Sequence, residues 1–96
     1  MAEVVWTSPA YSDLAGILDF LVERNLSAAR RFKETLDQKS QLYGGQPEMG
    51  SLFPGLDEQV RFFLVRPYVV FYRPLDDGIV ILRIIHGRRD IPPLIQ

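Results

Sequence analysis

The sequence predicts an α+β domain: an N-terminal strand, an antiparallel helical hairpin, then a three-stranded antiparallel meander, with the helices packed on the sheet. Three observations carry this. Apolar residues recur at three- and four-residue spacing between residues 11 and 43, the period of an α-helix. From residue 60 onward the pattern changes to β-branched and aromatic runs separated by short turns. Only Asn25-Leu26-Ser27 separates the two helical patterns, so the helices must fold back on each other. Helices and a sheet that each bury one face are covered by packing together in layers.

The first strand is read at residues 3–6 and ends at Thr7-Ser8-Pro9. Ser8 is expected to accept a hydrogen bond from an orphan N–H of the following helix, and Pro9 suits a first helical position. That helix runs to about Arg24. Tyr11, Leu14, Leu18 and Leu21 form its buried stripe, widened by Ala15, Ile17 and Val22, while Asp13, Asp19 and Glu23 point elsewhere. The second helix spans about residues 28–43, with Ala29, Phe32, Leu36 and Tyr43 on its apolar face. Gly44-Gly45 is expected to stop it, because glycine enters the left-handed conformation of a helix end without a Cβ penalty.

Pro47, Gly50, Pro54 and Gly55 make residues 46–58 a loop, which Leu52, Phe53 and Leu56 would pin to the core. The meander strands fall at residues 60–65, 68–73 and 79–86. Their connections, Arg66-Pro67 and residues 74–78, are short enough to force antiparallel pairing. The first strand would insert beside one of them, giving four strands in all. Apolar residues on both faces of these runs call for cover on both sides. The tail, residues 87–96, carries Pro92 and Pro93, which exclude a long helix, and sets Arg88 and Arg89 just past the last strand.

Residues 1–96 are read as one domain, because a chain this short supports a single thin core. Hydrophobic residues are 47% and charged residues 24%, which places it with globular rather than disordered chains. With no cysteine and one histidine, neither a disulfide nor a metal site is expected, nor any cofactor. No basic segment followed by an apolar stretch opens the chain, and no apolar run nears the roughly 20 residues that cross a bilayer. A cytoplasmic protein without a membrane partner is expected. Eleven basic and twelve acidic residues leave a net charge of −1, so direct nucleic-acid binding by the chain alone is not expected. Arg61, Arg66, Arg73, Arg83, Arg88 and Arg89 nevertheless crowd the second half, where they could form a cationic face.

Two stretches stand out, and the second is the specific one. VVWTSPAYSDLAGILDFL gives a strand, a Thr-Ser-Pro helix start and an Asp-Leu pair on the first helix; YVVFYRPLDDGIVILRIIHGRRD gives the meander hairpin and its basic end. Together with the apolar spacing of the second helix they resemble the RelE/ParE toxin superfamily over nearly the whole chain. The resemblance is nearer to ParE than to RelE. RelE-like nucleases carry an arginine where this chain has Val69 and a tyrosine in the region of residues 91–95, where it has no aromatic. The resemblance implies the toxin of a type II toxin–antitoxin system that inhibits DNA gyrase without being an enzyme, neutralised by a ParD-like antitoxin. The alternatives are a RelE-like ribosome-dependent mRNA interferase and a non-toxic relative that only binds an antitoxin.

On that resemblance Arg83, His86, Arg88 and Arg89 are the candidate target-binding residues, and His86, Arg88 and Arg89 would be the catalytic set of a nuclease. Cleavage would need an acid/base group and cations at the phosphorus, which these residues could provide. Each also has a structural reading: a strand-end histidine bonded to backbone, an Arg83 ion pair with a neighbouring carboxylate, and two solvated arginines. Trp6, Tyr11, Leu14, Leu18 and Phe32 are the candidate antitoxin contacts, with core packing as the competing role. A helical hairpin on a small sheet leaves a groove or a strand edge that a disordered tail could enter.

Overall fold

The computed structural model describes residues 2–95, with the backbone alone for residues 94 and 95. The side chains of Leu94 and Ile95, the apolar end of the tail, and the whole of Gln96 therefore lie outside the described residues. In order, the elements are β1 (Glu3–Trp6), α1 (Ser8–Arg24), α2 (Leu26–Gly45), a 3₁₀ turn (Pro47–Met49), β2 (Ser51–Leu52), β3 (Arg61–Val65), β4 (Tyr68–Leu75), β5 (Gly78–His86) and the short α3 (Pro92–Ile95). The strands form one sheet in the order β1-β5-β4-β3-β2. It has five strands rather than four, because residues 51 and 52 of the loop pair antiparallel with β3. The β3–β4 and β4–β5 pairs are antiparallel as expected, and β1 joins the far edge parallel to β5. The helical hairpin supplies the crossover that a parallel pairing needs.

Local chemistry sets most boundaries. Thr7, not Ser8, caps α1: its side chain accepts from Ala10 N–H, and Ser8 and Pro9 open the helix. A single residue, Asn25, separates the helices: its N–H donates to the Leu21 carbonyl of α1, and its side-chain oxygen caps α2 by accepting from Ala28 N–H. Gly44 and Gly45 do not stop α2 in a left-handed turn; they are its last two helical residues. Gly44 is buried because Val4 Cγ2 lies 3.1 Å from where a Cβ would stand, so its role is close helix–strand packing.

Strand alternation separates two cores. On the helical side, Ala10, Leu14, Ile17, Phe32 and Leu36 meet Phe63, Val70, Tyr72, Ile79, Ile81 and Ile84. Tyr11 and Val22, expected on the buried stripe, are 60% and 51% exposed, and Ala10 takes the inner position instead. On the other side Val60, Val69, Phe71, Ile85 and Ile91 form a second cluster, flanked by Phe53 and Leu56. The loop and the tail, not a helix pair, cover that face. Leu52, expected to anchor the loop, is 51% exposed.

The loop is instead stapled by Tyr72. Its hydroxyl accepts from Gly50 N–H at 2.9 Å and donates to the Pro47 carbonyl at 2.8 Å. Burial pushes the Tyr72 hydroxyl above its ordinary pKa, with the Gly50 bond opposing. Arg61 ties the same turn through Gly50 O at 2.7 Å and Glu48 at 2.9 Å. Tyr72→Phe would leave a buried N–H without its acceptor, which costs about 1–3 kcal/mol. Urea unfolding should show that loss with an unchanged denaturant slope. A change under about 0.5 kcal/mol would mean the turn does not depend on the hydroxyl.

Candidate functional site

Two surfaces gather the chemistry-bearing residues. The first lies where β5 outruns β1. Pairing of the two strands ends at Trp6 and Ile81, and β5 bulges immediately afterwards: Phe71 faces Arg83 and Tyr72 faces Ile81, leaving Leu82 as the extra residue. Polar side chains then replace the missing strand neighbour. Thr7 donates its hydroxyl proton to the Leu82 carbonyl at 2.8 Å, and Asp13 Oδ2 accepts from Ile84 N–H at 2.9 Å. Asp13 also grips the Arg83 guanidinium at both oxygens, 2.7 Å from Nε and 3.0 Å from a terminal nitrogen. Those hydrogen bonds hold the Arg83 pKa above its ordinary value, with burial acting against them. Asp13, which the helical stripe placed elsewhere, therefore points at the sheet.

Below this clamp a cleft of about 300 Å³ is lined by Ser12, Gly16, Tyr68, Arg83, His86 and Arg89, among others. It unites three of the four predicted target contacts. Arg88 is absent from the lining, but its backbone N–H donates to His86 Nδ1 at 3.1 Å. Only an unprotonated Nδ1 accepts such a bond. The imidazole also meets the edge of Tyr68 at 5.4 Å. Both arginine side chains are exposed, and the turn holding them is closed by Arg89 N–H donating to His86 O. The adjacent Arg66-Pro67 turn accepts from Gly87 N–H at 2.9 Å, which adds a further exposed cation to this end of the sheet.

The second surface is a groove of about 830 Å³ between α2 and the outer edge of β3. Phe32, Tyr43, Phe63 and Tyr68 supply its apolar surfaces, Arg31, Lys39 and Arg66 its charges, and no Asp or Glu lines it. That size and mixture suit a peptide-sized occupant. Of the five predicted antitoxin contacts only Phe32 lines the groove. Leu14 is buried in the core and unavailable to a partner, and Leu18 packs partly against that core. Trp6 and Tyr11 stack on each other at 5.4 Å near the start of α1, with Tyr11 open to solvent. Sequence reasoning missed Arg31, Lys39 and Tyr68. The helical spacing of Phe32, Leu36, Lys39 and Tyr43 was the available signal, because it sets a lysine on the inward face.

Among the described residues no group of three or more His, Asp or Glu side chains gathers as a metal site would, and no helix is long and apolar enough to cross a membrane. What remains is a small domain with one cationic corner and one acid-free groove.

The architecture matches a solved structure described as the chromosomal ParDE TA system from P. aeruginosa, with a TM-score of 0.71 and 26% identity over 90% of this chain and 96% of that one. The class is thus the RelE/ParE-like toxins of toxin–antitoxin systems. Residues 4–91 match the family described as the ParE toxin of the type II toxin-antitoxin system parDE, and the chain belongs to that family. A curated relative, Toxin RelE2 of Caulobacter vibrioides, is 34% identical over 89 residues, 93% of this chain and 99% of its own length.

Proposed function

We propose that the chain is a non-enzymatic toxin that inhibits DNA gyrase through the corner formed by Arg83, His86, Arg88 and Arg89, and that a ParD-like antitoxin holds it inactive by occupying the groove between α2 and β3. The carrying observation is the second apolar core. The position where RelE-like nucleases carry an arginine is Val69, 6% exposed and packed with Val60, Phe71, Ile85 and Ile91. A catalytic cation at that position would be stranded among hydrocarbon, at a cost no nuclease site would carry. The packing of the sheet face opposite the helices is what supports the non-enzymatic reading.

The cationic corner supports obstruction of a protein target. Arg88 and Arg89 are presented on a closed turn, and arginine grips carboxylates with two parallel bonds. Purified chain in excess should block supercoiling by gyrase, and Arg89→Glu should weaken the block at least tenfold, about 1.4 kcal/mol. Full supercoiling activity at toxin excess would remove gyrase as the target.

One observation favours a second reading. His86 and Arg89 share a cleft, which is where an acid/base group and a phosphate-binding cation would have to meet. In a translating extract this reading requires cut transcripts that disappear with His86→Ala. Intact transcripts from the wild-type chain exclude it.

A further inference from the structure

The edge of β3 that borders the groove is only partly covered. β2 pairs with it at Arg61 and Phe62 and goes no further. Alternation along an antiparallel strand sends the main-chain groups of Leu64 to the same side as those of Phe62, away from β4. The Leu64 carbonyl is met there by a side chain: Lys39 Nζ, reaching across from α2, donates to it at 2.6 Å. Lys39 is half-buried and stands in a groove that also holds Arg31 and Arg66 and no carboxylate.

We propose that Lys39 is an exchangeable cap on the open edge of β3. In the free chain it holds the Leu64 carbonyl. It releases that carbonyl to the main chain of an extended acidic segment entering the groove, and takes a side-chain carboxylate of that segment in exchange. This rests on the reading of the groove as the antitoxin's seat and adds to it the chemistry of the segment and the residue that selects it.

The physical argument is one of acceptors. A strand adding to β3 must donate an N–H to the Leu64 carbonyl, and the ammonium now occupies that position. An ammonium carries three donors and no acceptor, so once displaced it needs a new oxygen. The groove offers no Asp or Glu, and Arg31 and Arg66 make it a poor place for an unpartnered cation. A carboxylate brought by the incoming segment supplies the oxygen. The side chains of that segment on the face toward α2 would meet Phe32, Tyr43, Phe63 and Lys39, so that one face carries apolar residues with a carboxylate among them. Until it arrives, a lysine on the edge also discourages pairing with a second copy of the chain.

The test uses two synthetic peptides with Val on the face toward α2 and Ser on the other, identical except for one central Glu or Gln on the Val face, titrated against the wild-type chain, Lys39→Met and Lys39→Arg. Hydrogen exchange reads which amides each peptide protects. The wild type should prefer the Glu peptide at least tenfold. Lys39→Met should bind the Glu peptide at least tenfold more weakly and the Gln peptide more tightly than wild type, because no cap has to be displaced. Lys39→Arg, which keeps the charge, should keep the preference. A Lys39→Met chain that weakens both peptides equally, or neither, overturns the exchange. If the peptides protect residues 61–66 without that crossing, only the role of Lys39 falls. If neither peptide protects β3 or α2, the groove reading falls and the proposal with it.

Discussion

Gly78→Ala is expected to lower the unfolding free energy by about 3 kcal/mol or more, the upper range for a single substitution. Gly78 opens β5 with φ +149°, outside the conformations that L side chains adopt readily. Strain of that kind costs about 1–3 kcal/mol when the surroundings enforce it. Here they do. A Cβ at Gly78 would land on the backbone of Glu3, its partner across the β1–β5 pair, well inside van der Waals distance. The obstacle is main chain, so no side-chain rotation relieves it.

Relief requires β1 to move away, and its contributions would go with it. Glu3 N–H donates to Asp77 O at 2.8 Å, Val4 packs on Gly44, and Trp6 packs on the core and stacks on Tyr11. For a domain of this length about 3 kcal/mol corresponds to a fall of roughly 12 °C or more in Tm. Hydrogen exchange should locate the damage, with amides of β1 losing protection while β3 and β4 keep theirs. A melting temperature within a degree or two of wild type would mean β1 is not held in this register.

Much of the fold was legible because periodicity and turn chemistry act locally. The 3.6-residue pattern gave both helices, and the Arg66-Pro67 and Asp76-Asp77-Gly78 turns gave the meander. What escaped depends on partners distant in the chain. The two-residue strand at Ser51–Leu52 exists because Tyr72 and Arg61 pin the preceding turn, and neither contact has a local signature. Gly44-Gly45 carries the sequence mark of a helix end, but burial against Val4 decides the role of Gly44.

The candidate site was legible in the same uneven way. The basic end of β5 could be read from the residues, and Arg83, His86 and Arg89 do share a cleft. The groove's charges could not, because Arg31, Lys39 and Arg66 come together only when α2 lies along β3. Leu14 was read as a contact and proved to be core. An apolar helix stripe does not tell which residues meet the sheet and which would meet a partner.

Asp13→Ala is the second large effect, at about 2–3 kcal/mol, below the roughly 3–5 kcal/mol for breaking a fully buried ion pair because both partners keep some solvent contact. Asp13 was assigned to the outer face of its helix, although its spacing from Ala10 and Ile17, both buried, sets all three on one face. Its side chain is 16% exposed and that of Arg83 28%. Removing the carboxylate takes both of its hydrogen bonds from the guanidinium and also leaves Ile84 N–H, beyond the reach of β1, without its acceptor. Asp13→Asn keeps an oxygen for that N–H while giving up the charge and one of the two acceptors facing Arg83, so it should cost less, near 1 kcal/mol. Arg83→Met, which removes the cation but leaves the carboxylate on Ile84 N–H, should fall between the two. Should Asp13→Ala and Asp13→Asn unfold at the same denaturant concentration, the backbone bond contributes nothing and the clamp is an ion pair alone. The two surfaces also separate here. Asp13 stands at the cleft that holds His86 and Arg89 and does not line the groove, so Asp13→Asn should disturb inhibition of the target while leaving peptide binding at β3 unchanged.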